Sequence, residues 1–245
     1  MPKLNDKVIL LTGAASGIGR AAALCCAQEG ATIIAVDLDA TGIESCLQEL
    51  TASGITASGH TVDIQEETQV TRLFAQITES HDQIDGVIHA AGILEGAVVP
   101  IDDFETLTWD RVIDINLKGS FLIAKHAVPL LQKSDSGVLI LISSGAGVRG
   151  GSSSVAYGSS KGGVHGLSLV LAAQLASRDI RVHAICPGAL ATPLKLGAIQ
   201  AQANKTGENI DDLSARLGDP RGVGKILAFL VSDDADYVRG TIFTR

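Results

Sequence analysis

Tyr157 stands four residues before Lys161, with Ser144 upstream of both. A phenol is a poor base at neutral pH because its free pKa is about 10. Bringing that value to 7 or 8 takes roughly 3–4 kcal/mol of preferential stabilisation of the phenolate. A lysine one turn further along the same helix face supplies part of it. The stretch Ser154–Leu175 reads as such a helix, apolar at Val164, Leu167, Leu171 and Leu175, which sets the ammonium beside the phenol. That pairing suits proton transfer.

A second cluster sits near the N-terminus. Thr12-Gly13-Ala14-Ala15-Ser16-Gly17-Ile18-Gly19 follows an apolar run directly. Glycines at these positions let the chain turn tightly and bring backbone N–H groups and a helix N-terminus against a pyrophosphate. By itself such a turn is common. Asp37, at the end of the next strand-like run, adds to it: a carboxylate placed there accepts hydrogen bonds from ribose hydroxyls and repels a 2′-phosphate. No lysine or arginine is near Asp37 in sequence, and the turn carries none before Arg20. The cofactor expected is NAD, with NADP second. Asp37 could instead cap the following helix, but Asp39 is equally placed for that task.

These groups need a frame. Val8–Thr12 is a continuous apolar run, as in a strand buried on both faces. The order of elements that follows is helix 17–28, strand 32–37, helix 40–52, strand 56–62, helix 66–79, strand 86–91 and a long helix 108–132. Strand 137–143, the Tyr157 helix, strand 180–186, a helix near 221–231 and a short strand 240–244 complete it. Strict alternation predicts an α/β fold: a doubly wound, Rossmann-like parallel β-sheet with helices on both faces. No linker divides the 245 residues, so one domain, 1–245, is expected for dinucleotide binding and catalysis. Ligands bind outside the carboxyl ends of such strands, and Thr12, Asp37, Asp63, Gly92, Ser143 and Pro187 all fall there. The stretch of about 188–218 has no clear strand and is read as a substrate flap with short helical pieces, rather than a floppy insertion.

Composition mainly excludes. A net charge of −8 disfavours nucleic acid and anionic membranes as partners. No apolar stretch is long enough to span a bilayer, and the first seven residues lack the apolar core of a signal peptide. A cytoplasmic protein is expected. Cys25, Cys26, Cys46 and Cys186 show no metal or redox spacing, and the six histidines form no ligand pair, so neither metal nor disulfide is expected. Asp233, Asp234 and Asp236 read as solvated charges.

Taken together and in order, these residues resemble the short-chain dehydrogenases/reductases, in their single-domain form, over almost the whole chain. Thr12-Gly-x-x-x-Gly-Ile-Gly19 looks like that family's nucleotide turn, and Asp63 before Ile64 like its adenine-contacting acid. Ala91-Gly92 falls where the family has Asn-Ala-Gly. Asn116 matches its helix asparagine, and Ser144, Tyr157 and Lys161 match its serine, tyrosine and lysine. Pro187-Gly188 with Thr192 matches its carboxamide-binding segment. The resemblance implies interconversion of a secondary alcohol and a ketone by hydride transfer. In it Tyr157 exchanges the proton, and Lys161 lowers the tyrosine pKa and holds the nicotinamide ribose. Ser144 polarises the reacting oxygen and Asn116 anchors a proton-returning water chain. It also implies cofactor contacts from Gly13, Ser16, Gly17, Ile18, Gly19, Asp37, Leu38, Asp63, Ile64, Ala90, Ala91, Gly92, Tyr157, Lys161, Pro187, Gly188, Leu190 and Thr192. Ser143 competes with Ser144 for its role.

Two positions depart from the pattern: Ala90 replaces the usual asparagine, and Cys186 stands before Pro187 where asparagine is frequent. The sequence ends at Arg245, short of the glycine-containing tail of many members, so an oligomer contact made by that tail is not expected. A homotetramer or homodimer is expected by family analogy. The pocket is expected to involve Leu94, Glu95, Gly145, Arg149, Leu190 and Leu194, and to take a small or medium, mainly apolar hydroxyl or carbonyl compound. One alternative is a 3-oxoacyl-(acyl-carrier-protein) reductase using NADPH, which needs a basic mouth for an acidic carrier. A catalytically idle dinucleotide-binding protein is another. Sugar-nucleotide epimerases share the turn but usually carry a larger second domain.

Overall fold

A computed structural model describes residues 2–244; Met1 and Arg245, on which the two terminal readings partly rest, lie outside the described residues. Seven parallel strands form one sheet: β1 (Val8–Thr12), β2 (Thr32–Asp37), β3 (Ala57–Thr61), β4 (Gly86–His89), β5 (Val138–Ile142), β6 (Arg181–Cys186) and β7 (Gly240–Phe243). Their spatial order is β3-β2-β1-β4-β5-β6-β7. The sense of winding reverses between β1 and β4, and a crevice opens at the carboxyl ends of strands at such a point.

Burial on both faces explains the apolar runs. Ile9 and Leu11 join one core with Val138, Ile140 and Ile142, while Leu10 joins the other with Leu139 and Leu141. Helices α1 (Gly17–Gln28), α2 (Ala40–Ala52) and α10 (Pro220–Leu230) supply buried residues to the first layer. The second is covered by α3 (Glu67–Ser80), α5 (Gly119–Leu131) and α7 (Val155–Leu175). Cys25, Cys26 and Cys46 pack in the first core as apolar groups, and Cys186 is buried in β6. Asp233 and Asp234 pair with Lys7 at 2.7 Å and Lys3 at 2.6 Å, exposed contacts that add little stability.

Three expectations need correction. The helix read as 108–132 begins earlier, as α4 (Thr106–Ile113), and continues into α5 only through a wider π-turn at Asp114–Lys118. One inserted residue breaks the 3.6-residue period there, a device common at functional sites, and Asn116 is the buried residue of that turn. The segment after β6 holds a full helix, α8 (Pro193–Thr206), then α9 (Ile210–Ser214), and not merely short pieces. Its base is pinned: Ala191 N donates to Gly218 O at 2.8 Å and Gly218 N to Ala189 O at 2.9 Å. Strand β4 also ends at His89, two residues before the expected limit. Beyond it the backbone leaves the sheet toward the crevice. Among the described residues no helix is long and apolar enough to cross a membrane.

Candidate active site

The glycine turn joins β1 to α1 by close backbone packing. A Cβ on Gly19 would lie 2.1 Å from Gly13 O, and one on Gly13 2.8 Å from Ala91 N. A side chain at Gly13 would push the turn off the segment after β4, and one at Gly19 would push α1 off the turn itself. Ser16 caps α1 without a side-chain hydrogen bond, and the first turn holds no acid. Its N–H groups therefore face the crevice with the positive end of the helix dipole, which suits an anion.

Asp37 closes the other side. Its Oδ2 accepts from Ala15 N at 3.0 Å and its Oδ1 from Asp39 N at 3.1 Å. A carboxylate has roughly four lone-pair sites, so each oxygen keeps one for a ligand. Asp39 caps α2 by accepting from Gly42 N at 3.1 Å, which frees Asp37 from that duty. The guanidinium of Arg20 is tied to Glu49 at 2.9 Å. Asp63 holds its own loop, accepting from Gln65 N at 3.0 Å.

A cleft of about 310 Å³ is lined by Gly13, Ser16, Gly17, Ile18, Gly19, Asp37, Leu38, Asp63, Ile64, Ala90, Ala91, Gly92, Tyr157, Lys161 and Thr192. An adjoining cavity of about 440 Å³ is lined instead by Ser144, Pro187, Gly188 and Leu190. The structure thus moves Pro187, Gly188 and Leu190 from the cleft to the neighbouring cavity. Leu190 is held there by its bridge to Gly218. Leu94, Gly145 and Leu194 line this cavity as expected, but Glu95 and Arg149 do not. Glu95 turns to Arg111 at 3.5 Å, and the Arg149 guanidinium lies 3.6 Å from the Phe243 ring centroid. Arg111, Val62, Gln65 and Pro193 line the cleft without having been singled out from sequence. Arg111 carried no signal there, because only the packing of α4 brings it to the crevice.

Tyr157 lies in the wall common to both spaces, together with Ile18, Ile142, Thr192 and Leu194. Burial raises the phenol above its ordinary value, and a hydrogen bond from the Ser144 side chain opposes that. Ser144 is placed by the start of a short helix, α6 (Gly145–Val148), where its Oγ accepts from Ala146 N at 3.1 Å. Ser143, the competitor, donates to Lys161 O at 2.8 Å and so serves the backbone. Helices α6 and α7 touch main chain to main chain: a Cβ on Gly147 would sit 2.4 Å from Gly162 N. The missing side chain of Gly147 thus allows the close approach, and a Cβ on Gly162 would meet Gly147 O at 3.0 Å.

Lys161 is buried and donates to Ile142 O at 2.8 Å, with Nζ 5.9 Å from the Tyr157 ring centroid. The protein groups alone therefore do not produce the depressed phenol that the spacing suggested. Burial instead lowers Lys161 itself, from 10.5 to about 8. Between those values the unfolded chain keeps a proton that the folded chain has released, so stability rises with pH through that window. Below it both states are protonated and the folded state carries the whole penalty, about 3 kcal/mol. The bond to Ile142 O returns about 1 kcal/mol. Lys161→Met is accordingly expected to raise the melting temperature at neutral pH by about 4–8 °C. It should also flatten the alkaline rise in stability; calorimetry at several pH values measures both.

Asn116 is fully buried and ties three segments together. Its Nδ2 donates to Ile93 O and to Ser160 Oγ, both at 2.9 Å, and its Oδ1 accepts from Ile93 N at 2.8 Å. Ser160 in turn donates to Tyr157 O at 2.9 Å. The polar residue inside an apolar helix thus has a structural reason. His89, beside Ala90, is buried with its Nδ1 2.7 Å from Thr12 Oγ1, and burial lowers its pKa to about 3. Thr12 Oγ1 also accepts from Ala91 N at 3.2 Å, which fixes the strand ends around the glycine turn.

Comparison with known proteins agrees with this geometry. A family model described as enoyl-(acyl carrier protein) reductase matches residues 13–244. The 3-oxoacyl-(acyl-carrier-protein) reductase FabG of Thermotoga maritima is 34% identical over 98% of this chain and 96% of its own length. Levodione reductase of Leifsonia aquatica is 33% identical over 98% of this chain and 92% of its own. A crystal structure of levodione reductase superposes with a TM-score of 0.90 at 32% identity, covering 98% of this chain and 96% of that one. Cyclopentanol dehydrogenase of Comamonas sp. is 31% identical over 98% of this chain and 96% of its own. The chain belongs to the short-chain dehydrogenases/reductases. It is accordingly an oxidoreductase of a family that binds nicotinamide dinucleotides.

Proposed function

We propose that this protein is an NAD-dependent dehydrogenase that interconverts a secondary alcohol and its ketone in the cavity next to the nucleotide cleft. The observation that carries the reading is Tyr157 in the wall between the two spaces. Its side chain borders the substrate cavity on one side and the dinucleotide cleft on the other. When bound, the oxidised dinucleotide supplies a hydride acceptor and a positive charge beside the phenol. Tyr157 takes the alcohol's proton as its carbon loses hydride, and returns one in the reverse direction. Ser144 donates to the reacting oxygen, in the manner of an oxyanion hole. Lys161, held by Ile142 O, lies where it adds positive field and reaches a ribose. Asn116 fixes the Ile93 loop to α7 and so sets the distance across the site.

Asp37 supports NAD, since it is the acid at the end of β2 and Arg20 is committed to Glu49. The segment 188–218 is part of the same proposal, as the substrate-covering piece of one catalytic domain. So is self-association into a dimer or tetramer, supported by exposed Leu107, Phe121, Leu169 and Val170. A cytoplasmic setting fits four buried thiols with no disulfide among the described residues.

One competing reading has a specific observation in its favour, the full-length similarity to a 3-oxoacyl-(acyl-carrier-protein) reductase. It calls for NADPH and an acidic carrier, against which stand Asp37 and the net charge of −8. A screen following reduced nicotinamide absorbance decides between them. Cyclic secondary alcohols with NAD are expected to react faster than a 3-oxoacyl thioester with NADPH. Turnover of the thioester alone would reverse the reading.

A further inference from the structure

The cavity beside Tyr157 holds one formal charge. Of the residues that line it, Lys195 is the one basic residue and none is acidic; the rest are aliphatic, glycine, hydroxyl-bearing or amide. The hydroxyls nearest the backbone are committed: Ser143 donates to Lys161 O at 2.8 Å and Ser152 to Ser154 O at 2.7 Å. Gln202 donates to Glu208 at 3.0 Å, and Thr206 holds the same carboxylate at 2.8 Å. The acid nearest in sequence along this segment is therefore engaged elsewhere. Among the described residues Lys195 has no ion pair, and it is only partly exposed.

Its position strengthens the field. Lys195 sits in the first turn of α8, whose cap, Thr192, accepts from Lys195 N at 3.2 Å and also lines the cavity. No acidic residue occupies that first turn, so the positive helix end and the ammonium act together. The nucleotide cleft is lined by Thr192, Pro193 and Leu194 but not by Lys195. In a chain with a net charge of −8, this is a local cation on the substrate side.

We propose that Lys195 is a specificity residue that selects hydroxy acids: secondary alcohols whose apolar body ends in a carboxylate. The inference rests on the substrate-cavity reading above. The reacting carbon lies at Tyr157, the apolar body against Leu94, Leu190 and Leu194, and the carboxylate at the Lys195 ammonium. A charge-assisted hydrogen bond in a partly dry cavity discriminates by about 10- to 100-fold against a neutral isostere.

Calorimetry on the NAD-loaded enzyme tests this with cyclohexanecarboxylate and its neutral amide, alongside turnover of 4-hydroxycyclohexanecarboxylate and of cyclohexanol. Wild type is expected to bind the acid at least 10-fold more tightly than the amide. Lys195→Gln should erase that preference and raise KM for the hydroxy acid alone, and Lys195→Arg should restore most of it. NAD affinity should stay constant throughout. Equal binding of acid and amide by wild type, no measurable binding of either, or a preference that survives in Lys195→Gln would overturn the proposal. So would weaker NAD binding in Lys195→Gln with the acid preference intact, which would put the ammonium on the pyrophosphate. If neither alcohol turned over while the acid preference followed Lys195, the dehydrogenase reading would fall and the anion site would stand.

Discussion

Tyr157→Phe is expected to bind NAD as wild type does and to lose about 10²–10⁴-fold in turnover, the usual range for removing a positioned proton-transfer group. The ring stays, so the wall between cleft and cavity keeps its shape, and only the oxygen beside Ser144 is lost. Loss in kcat with an unchanged NAD dissociation constant separates chemistry from folding. Wild-type pH profiles add a second readout. Burial holds the phenol above its ordinary value, and oxidation needs the phenolate, so alcohol oxidation should rise toward alkaline pH while ketone reduction is favoured at lower pH. Phenylalanine should flatten both. Turnover near the wild-type rate would remove Tyr157 as the base.

Asp37→Ala should raise KM for NAD by about 10- to 100-fold, from the loss of charge-assisted bonds to ribose hydroxyls. The same change removes the repulsion of a 2′-phosphate, so the gap between NAD and NADP should close. A complication is visible in the structure, because Asp37 also accepts from Ala15 N and Asp39 N. A merely loosened turn would weaken both cofactors alike; a lost ribose acceptor weakens NAD alone. Adding Leu38→Arg, at a side chain that is 63% exposed, should then carry the preference over to NADP. Unchanged relative KM values would take Asp37 out of the cofactor site.

The glycine turn, Asp37 and the Tyr157–Lys161 pair were legible in sequence because each depends on local geometry: a turn, a strand end, a helix face. Strand alternation likewise revealed the sheet, since the central strands β1 and β5 carry continuous apolar runs. What was not legible depends on tertiary placement. The π-turn at Asn116 has no periodic signature, and Arg111 reaches the cleft only through the packing of α4. Glu95 and Arg149 were expected in the pocket and do not line it. Each instead found a partner distant in sequence, Arg111 and Phe243, that one-dimensional spacing cannot show. The phenol's state was misjudged for a related reason: an i,i+4 lysine is near in sequence terms, but this one points to Ile142 O.

The two main-chain bonds that join Ala189, Ala191 and Gly218 confine the attachment of α8 and α9 to a narrow neck, whereas α6 and α7 are fused by the Gly147–Gly162 contact. Proton-handling groups thus ride on an unyielding platform, and the residues beyond Leu194, none of which lines the nucleotide cleft, can vary without disturbing it. An evolving lineage could exchange that one stretch and inherit a new diet with its chemistry unchanged.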